Sequence, residues 1–122
     1  MFTACVLMYL IINWVQMIEE RSQKGAFRTV HAFSTFFLPK ILKQGPASCR
    51  RWTRGVDIFA KEYLIIPAHW LKPDHWCLVV VTVSSRQLSY YDSLGGRDRG
   101  CLRVVAGYLR DEYYDKKGVS SN

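Results

Sequence analysis

The stretch HWCLVVVTVSSRQLSYYDS, residues 75–93, brackets two apolar runs with groups that can move protons. His75 opens it, Asp92 nearly closes it, and Cys77 stands two residues after the histidine. The β-branched run HWCLVVVTV reads as a central strand, SSR as a turn and QLSYYDS as the returning strand. Alternate side chains share one face of a strand, so His75 and Cys77 project the same way. If Ser84 and Ser85 make a two-residue loop, Cys77 lies opposite Asp92. His75 and Asp92 then become diagonal neighbours, about 7 Å apart at Cβ or less. A three-residue loop reverses the parity and puts them on opposite faces.

A carboxylate on one imidazole nitrogen fixes the tautomer, aims the ring and stabilises the imidazolium. The other nitrogen can then take a proton from a thiol or pair with a thiolate. That would supply two members of a Cys-His-Asp set. The same residues could also be strand-end groups satisfied by the backbone, because short motifs match by chance. Cys77 sits among Val79, Val80 and Val81, whereas a reactive thiolate favours an electropositive, partly exposed place. It reads as a core thiol. Cys101 can open the last helix, whose dipole would favour thiolate, but nothing around it builds an oxyanion hole. The four cysteines (Cys5, Cys49, Cys77, Cys101) show no CxxC pair, and the three histidines (His31, His69, His75) no HExxH set. No metal and no cofactor is expected, and the thiols are expected to be reduced.

The elements that must position these groups follow from periodicity. Leu7, Leu10, Ile11, Trp14 and Ile18 fall at helical spacing, with Gly25 as a stop. The apolar run FTACVLMYLIINWV is shorter than the ~20 residues of a membrane span and lacks the flanks of a signal peptide. It reads as a buried helix, with a membrane anchor as the alternative. HAFSTFFLPKILKQG predicts a helix with Phe33, Phe36, Phe37 and Ile41 inward, broken or kinked at Pro39 and ended at Gly45-Pro46. A short helix can follow Gly55. YLIIP predicts a buried strand stopping at Pro67, and AHWLKPD a loop. LRVVAGYLRDEYY predicts an amphipathic helix with Leu102, Val105, Ala106, Leu109 and Tyr113 on one face. Helices, then strands, then a helix make an α+β fold.

With 122 residues the chain has room for one domain, and 49% apolar residues give it a core. A net charge of +7 favours acidic partners. The basic cluster Arg50, Arg51, Trp52 and Arg54 could touch nucleic acid, but no recognition motif accompanies it, and a solvated helix face accounts for it.

The blocks IINWVQMIEERSQK, VHAFSTFF, RRWTRGVDIFAKEYLIIPAH, HWCLVVV and YYDSLGG resemble the sentrin-specific (SUMO-specific) cysteine protease domain, in matching order from about Leu10 to Gly118. The resemblance implies a single, incomplete ubiquitin-like protease domain over residues 1–122. Its fold would be a partial papain-like one: N-terminal helices on a small, mostly antiparallel sheet with a C-terminal helix. It implies a thiol protease that processes SUMO precursors and releases SUMO from lysine side chains. By position, His75 matches the catalytic histidine, Asp92 the catalytic aspartate, and Trp76 a tryptophan lining the tunnel for the substrate's Gly-Gly tail. Only glycine is thin enough to pass such ring faces. His31 and Trp52 would be structural, and the basic cluster offers a face to an acidic substrate. The implied partners are SUMO and SUMO-conjugated proteins, with no nucleic acid, no membrane, a monomeric state and a nuclear location.

The sequence departs from the family pattern in three places. The family nucleophile follows the aspartate in a Gln…Asp-Cys-Gly segment, and no Asp-Cys-Gly occurs among these residues. Gln87 precedes Asp92 and cannot replace the oxyanion glutamine. MFTACVLMY stands where the family has a WLND-like block with a second tunnel tryptophan, and the AHWLKPDHW loop is longer, with Trp70 added. A fragment of the catalytic domain with little or no peptidase activity is therefore expected. A non-catalytic SUMO-binding module and a small membrane-anchored protein are the alternatives.

Overall fold

A four-stranded sheet, with its strands side by side in chain order, frames the described residues. The computed structural model describes residues 17, 30–71, 74–92, 95, 98 and 100–118. The helix read from Leu7, Leu10, Ile11, Trp14 and Ile18, with its stop at Gly25, lies outside the described residues. The strands are β1 (Val30–Ala32), β2 (Tyr63–Leu71), β3 (Asp74–Thr82) and β4 (Gln87–Asp92). β1 runs parallel to β2, and the other neighbours are antiparallel. Among the described residues two α-helices, α1 (Phe37–Gln44) and α2 (Cys101–Lys117), touch each other and pack on β2 and β4 respectively. Among the described residues no helix is long and apolar enough to cross a membrane. The α+β expectation holds, with one short strand placed ahead of α1.

Three local expectations are corrected. Residues 30–32 pair with β2 instead of starting a helix, so His31 is a strand residue. The helix begins only at Phe37, after a turn in which Ser34 accepts from the backbone N–H of Phe36 and of Phe37. Phe36 is consequently 74% exposed, while Phe33, Phe37, Leu38 and Ile41 are buried. Pro39 falls in the first turn of α1, where a missing N–H costs nothing. Gly45, at φ 89°, ends the helix.

Secondly, β2 does not stop at Pro67 but continues to Leu71, pairing with β3 as far as Leu71↔Asp74. The hydrogen bond from Val83 N to Glu62 O sets the ladder's phase and makes Pro67↔Leu78 a non-hydrogen-bonded pair. The proline's missing donor therefore faces away from β3, on the side where β1 has already ended. Thirdly, the basic segment is a run of turns rather than a helix face, with Trp52 N bonded to Cys49 O and Arg54 N to Arg51 O. The short helix expected after Gly55 is a 3-10 turn, Ile58–Ala60, capped by Asp57.

Alternation marks out the inner face of the sheet, although Pro67 on the other face is buried as well. Leu64, Ile66 and Ala68 of β2 and Val81, Val79, Cys77 and His75 of β3 are buried on the helix-covered face. Each fully buried Val, Leu or Ile stabilises the fold by about 1.5–3 kcal/mol. Phe33, Phe37 and Tyr108 close this core, with Tyr108 edge-on to both phenyl rings. α2 starts where Asp98 accepts from the N–H of Cys101 and Leu102, and stops at Gly118, φ 71°, with Lys116 and Lys117 in its negative C-terminal turn. Its buried ridge is Cys101, Val105, Tyr108 and Glu112. That is rotated from the expected one. Ala106, Leu109 and Tyr113 instead line an open groove of about 700 Å³ beside Leu64, Val81 and Leu88.

Candidate active site

The side chains on the covered face change character along the strands. At one end the cross-strand row is Leu64, Val81 and Leu88; next come Ile66, Val79 and Tyr90. Then follow Ala68, Cys77 and Asp92, and finally Trp70 and His75. The core thus runs out into ionisable groups at the end of the sheet where the β2–β3 hairpin turns.

Register decides this, and register is set by the β3–β4 loop. Thr82 pairs with Gln87, so four residues (83–86) connect the strands, closed by Arg86 N to Val83 O at 3.2 Å. Arg86 takes φ 54° to make the turn. The expected loop had two residues. Both counts are even, so the pairing Cys77↔Asp92 is the same, and His75, Cys77 and Asp92 share a face as anticipated.

His75 Nε2 lies 3.3 Å from Asp92 Oδ2, and the two side chains are only 6% and 3% exposed. With so little water to compete, the contact is electrostatically strong and the ring is oriented by it. Asp92 is held from a second side: Tyr90 Oη donates to the same Oδ2 at 2.9 Å. Burial, and then this bond to Asp92, push the Tyr90 phenol well above its ordinary range. Gly95 N bonds to Asp92 O at 3.0 Å and turns the chain away after the carboxylate. With Nε2 on the carboxylate, base chemistry toward a thiol falls to Nδ1.

Cys77 is a core sulfur, 2% exposed, and accepts a hydrogen bond from Trp70 Nε1 at 3.2 Å. Trp70, the extra aromatic of the longer hairpin, thus has a structural task. Cys101 opens α2 as the sequence suggests, but its thiol is not activated there. Its hydrogen bond to Cys77, then burial, push its pKa up, and the nearby Asp98 adds to this. Cys49 is wholly buried and also raised, mainly by desolvation. None of the three described cysteines is an exposed thiolate beside His75, and Cys5 lies outside the described residues. Gln87 sits at the opposite end of β4 from Asp92. Among the described residues no cluster of His, Cys, Asp and Glu could hold a metal ion.

Trp76 is placed differently from its neighbour His75. Alternation sends it to the other face of the hairpin, where it stacks on its register partner His69 at 4.4 Å between centroids and 21° between planes. The structure therefore joins two of the three sequence-predicted site residues and sets the third beside them across the sheet. Tyr90 was not singled out from sequence. The signal was available, since a residue two before Asp92 must share its face. His31 packs edge-on to Phe33, and Trp52 rests against Phe37 under Lys40.

Comparison with known proteins places this geometry in context. Residues 3–121 match the model of the Ulp1 protease family, C-terminal catalytic domain. The chain is 36% identical over 113 residues to sentrin-specific protease 2 of Mus musculus, covering 92% of this chain and 19% of that protein. It is 39% identical over 114 residues to a sentrin-specific protease of Caenorhabditis elegans, covering 92% and 16% respectively. The fold superposes on a crystal structure of a de-sumoylating protease with a TM-score of 0.72 at 18% identity, over 98% of this chain and 49% of that one. The chain thus spans under a fifth of those relatives' length and about half of that structure.

Proposed function

The chain belongs to the Ulp1 protease family, a family of cysteine-type SUMO proteases, and from that premise we propose that it carries the base half of such a site. His75 is the general base and Asp92 its orienting carboxylate. Tyr90 holds the carboxylate from behind. The observation that carries this reading is the buried Nε2–Oδ2 contact at 3.3 Å, backed by the phenol at 2.9 Å on the same oxygen. In the reaction, the imidazole takes the proton of an attacking thiol and later returns it to the leaving amine, and Asp92 stabilises the imidazolium between those steps.

The substrate class proposed is a SUMO-type C-terminus. Trp76, stacked on His69, presents a flat aromatic wall at the same end of the sheet as the base, and a glycine tail suits such a wall because it brings no side chain. The net charge of +7 favours an acidic globular substrate.

These 122 residues bind such a substrate without cutting it, because every described thiol is buried and held in other contacts. Titration of fluorescently labelled SUMO should show saturable binding that weakens with salt and, with Trp76→Ala, by about tenfold or more. A SUMO C-terminal fluorophore amide should stay intact in parallel. Absence of binding at low salt removes the substrate assignment. Turnover that disappears in His75→Ala would show that a thiol of this chain is catalytically competent, and would overturn the binding-only reading.

A further inference from the structure

We propose that a second copy of this chain pairs antiparallel with the open edge of β4, joining two four-stranded sheets into one continuous sheet about a twofold axis at Ser89. Among the described residues β4 ends the sheet, with β3 on one side and no strand on the other. The phase of the ladder fixes which groups face that open side. Glu62 and Val83 form a hydrogen-bonded pair, so the odd-numbered residues of β3 bond to β2 and the even-numbered ones to β4. On β4 the backbone groups of Gln87, Ser89 and Tyr91 therefore meet β3, and those of Leu88, Tyr90 and Asp92 point outward. The Asp92 carbonyl is taken by Gly95 N at 3.0 Å. The N–H and C=O of Leu88 and Tyr90 have no hydrogen-bond partner among the described residues.

Native sheets guard such an edge with lysine, proline, a bulge or a covering element. QLSYYD carries no lysine, arginine or proline, pairs with β3 residue for residue, and leaves Tyr91 58% exposed. Its one charged residue, Asp92, is held by His75 and Tyr90. The strand is also complementary to itself. An antiparallel pair centred on Ser89 sets Leu88 opposite Tyr90 of the second copy, twice by symmetry, and the outward N–H and C=O of both residues then find partners in each copy. Residues opposite each other share a face, so Leu88 comes beside the second copy's Tyr90 on the helix-covered face and Gln87 beside its Tyr91 on the other. Arg86 takes the register position opposite Asp92 of the second copy. The ladder thus ends on opposite charges and sets no like pair side by side. Extended segments of other proteins offer the same backbone groups, but a second copy also brings this matched set of side chains. Asp92 ends β4, so closing the edge fastens the strand that carries the carboxylate of the candidate site. A dimer then replaces the monomeric state that the family resemblance implies.

No substrate enters the test, so its failure leaves the SUMO reading untouched. The reduced 122-residue chain is followed by sedimentation equilibrium over roughly a hundredfold range of micromolar concentrations. Its mass should rise from that of one chain to that of two and no further. Amide hydrogen exchange read by NMR then locates the contact. Protection of Leu88 and Tyr90 should grow with concentration, while Ser89, whose N–H already meets β3, should change far less. Ser89 is exposed, so Ser89→Lys should leave circular dichroism unchanged. It sets two ammonium groups side by side at the axis and should weaken association about threefold or more. Ser89→Cys should form a disulfide between copies on mild oxidation, because the axis pair is not hydrogen-bonded and its Cα atoms lie about 4.5 Å apart. Ser85→Cys, exposed in the loop, should not. A single-chain mass at every concentration would overturn the proposal and leave the edge to an extended segment of another protein. A dimer that Ser89→Lys does not weaken, or in which Leu88 and Tyr90 gain no protection, would place the contact on another surface and overturn it as well. The exchange pattern of the unaltered chain decides this even if a variant fails to fold.

Discussion

Asp92 and Glu112 are two carboxylates that the fold removes from water almost equally, at 3% and 2% side-chain exposure. Each has a tyrosine nearby and a cationic or potentially cationic partner, yet they do different work. Glu112 meets Lys116 at 2.8 Å one helical turn on, and Thr53 donates to it from the 51–56 turns. Lys116 also reaches the carbonyl of Thr53 at 2.9 Å, and Tyr108 lies 3.2 Å from the Thr53 hydroxyl. These contacts make the set a latch that pins α2 to the preceding turns. Asp92 meets an imidazole, a side chain whose second nitrogen can take part in proton transfer. Burial of a carboxylate is therefore no sign of chemistry by itself; the partner's ability to exchange a proton is.

The comparison breaks most visibly at Glu112. Glu112→Ala leaves Lys116 facing two carbonyls without its counter-charge and should cost about 3–5 kcal/mol, near the lower end because Lys116 is 29% exposed. A shift of the urea midpoint at constant slope measures it. Asp92→Asn keeps shape and an acceptor, so it should cost about 1–3 kcal/mol and leave a folded chain with circular dichroism unchanged. If Asp92→Asn unfolds the chain as Glu112→Ala does, both sites are latches and the division fails.

Next in size are the phenols. Tyr90→Phe removes a donor to Asp92 and should cost about 0.5–1.5 kcal/mol. In a double-mutant cycle its coupling to Asp92 should exceed that of Tyr108 to Glu112, because Tyr108 reaches Glu112 only through Thr53. Both phenols are raised, mainly by burial. The folded chain keeps these protons while the unfolded chain loses them, so stability is intact below about pH 10 and falls as pH rises beyond it. In a spectrophotometric titration, two of the seven tyrosines should ionise only as the chain unfolds. The smallest effect belongs to the exposed pair of Lys117 and Asp57, at 3.0 Å. Its hydrogen bond to Lys117 lowers the Asp57 carboxyl, so its contribution is present above the usual carboxylate range and lost as pH falls through the lowered value. Lys117→Ala should cost no more than about 0.5 kcal/mol, read from the same urea curves.

Much of the candidate site was legible because strands obey parity. His75, Cys77 and Asp92 were placed on one face by counting, and the count survived an error in loop length because two and four are both even. The same rule could have found Tyr90, and it puts Trp76 on the opposite face from its neighbour. The limit of β2 was misread because a proline looks like a terminator. It is tolerated here since its nitrogen points past the end of β1. Glu112 was invisible in RDEYY, where a charged residue reads as solvent-facing. Its burial depends on Thr53, 59 residues away.

The residues themselves determined the class of fold, the strand–turn–strand unit and the presence of a base and a carboxylate within reach of each other, because alternation and turn parity are local rules. That Glu112 and Lys116 would form a latch with the turns around Thr53 was decided only when α2 packed against the rest of the fold. Those contacts join side chains whose separation along the chain carries no periodic signal, so only the folded core could bring them together.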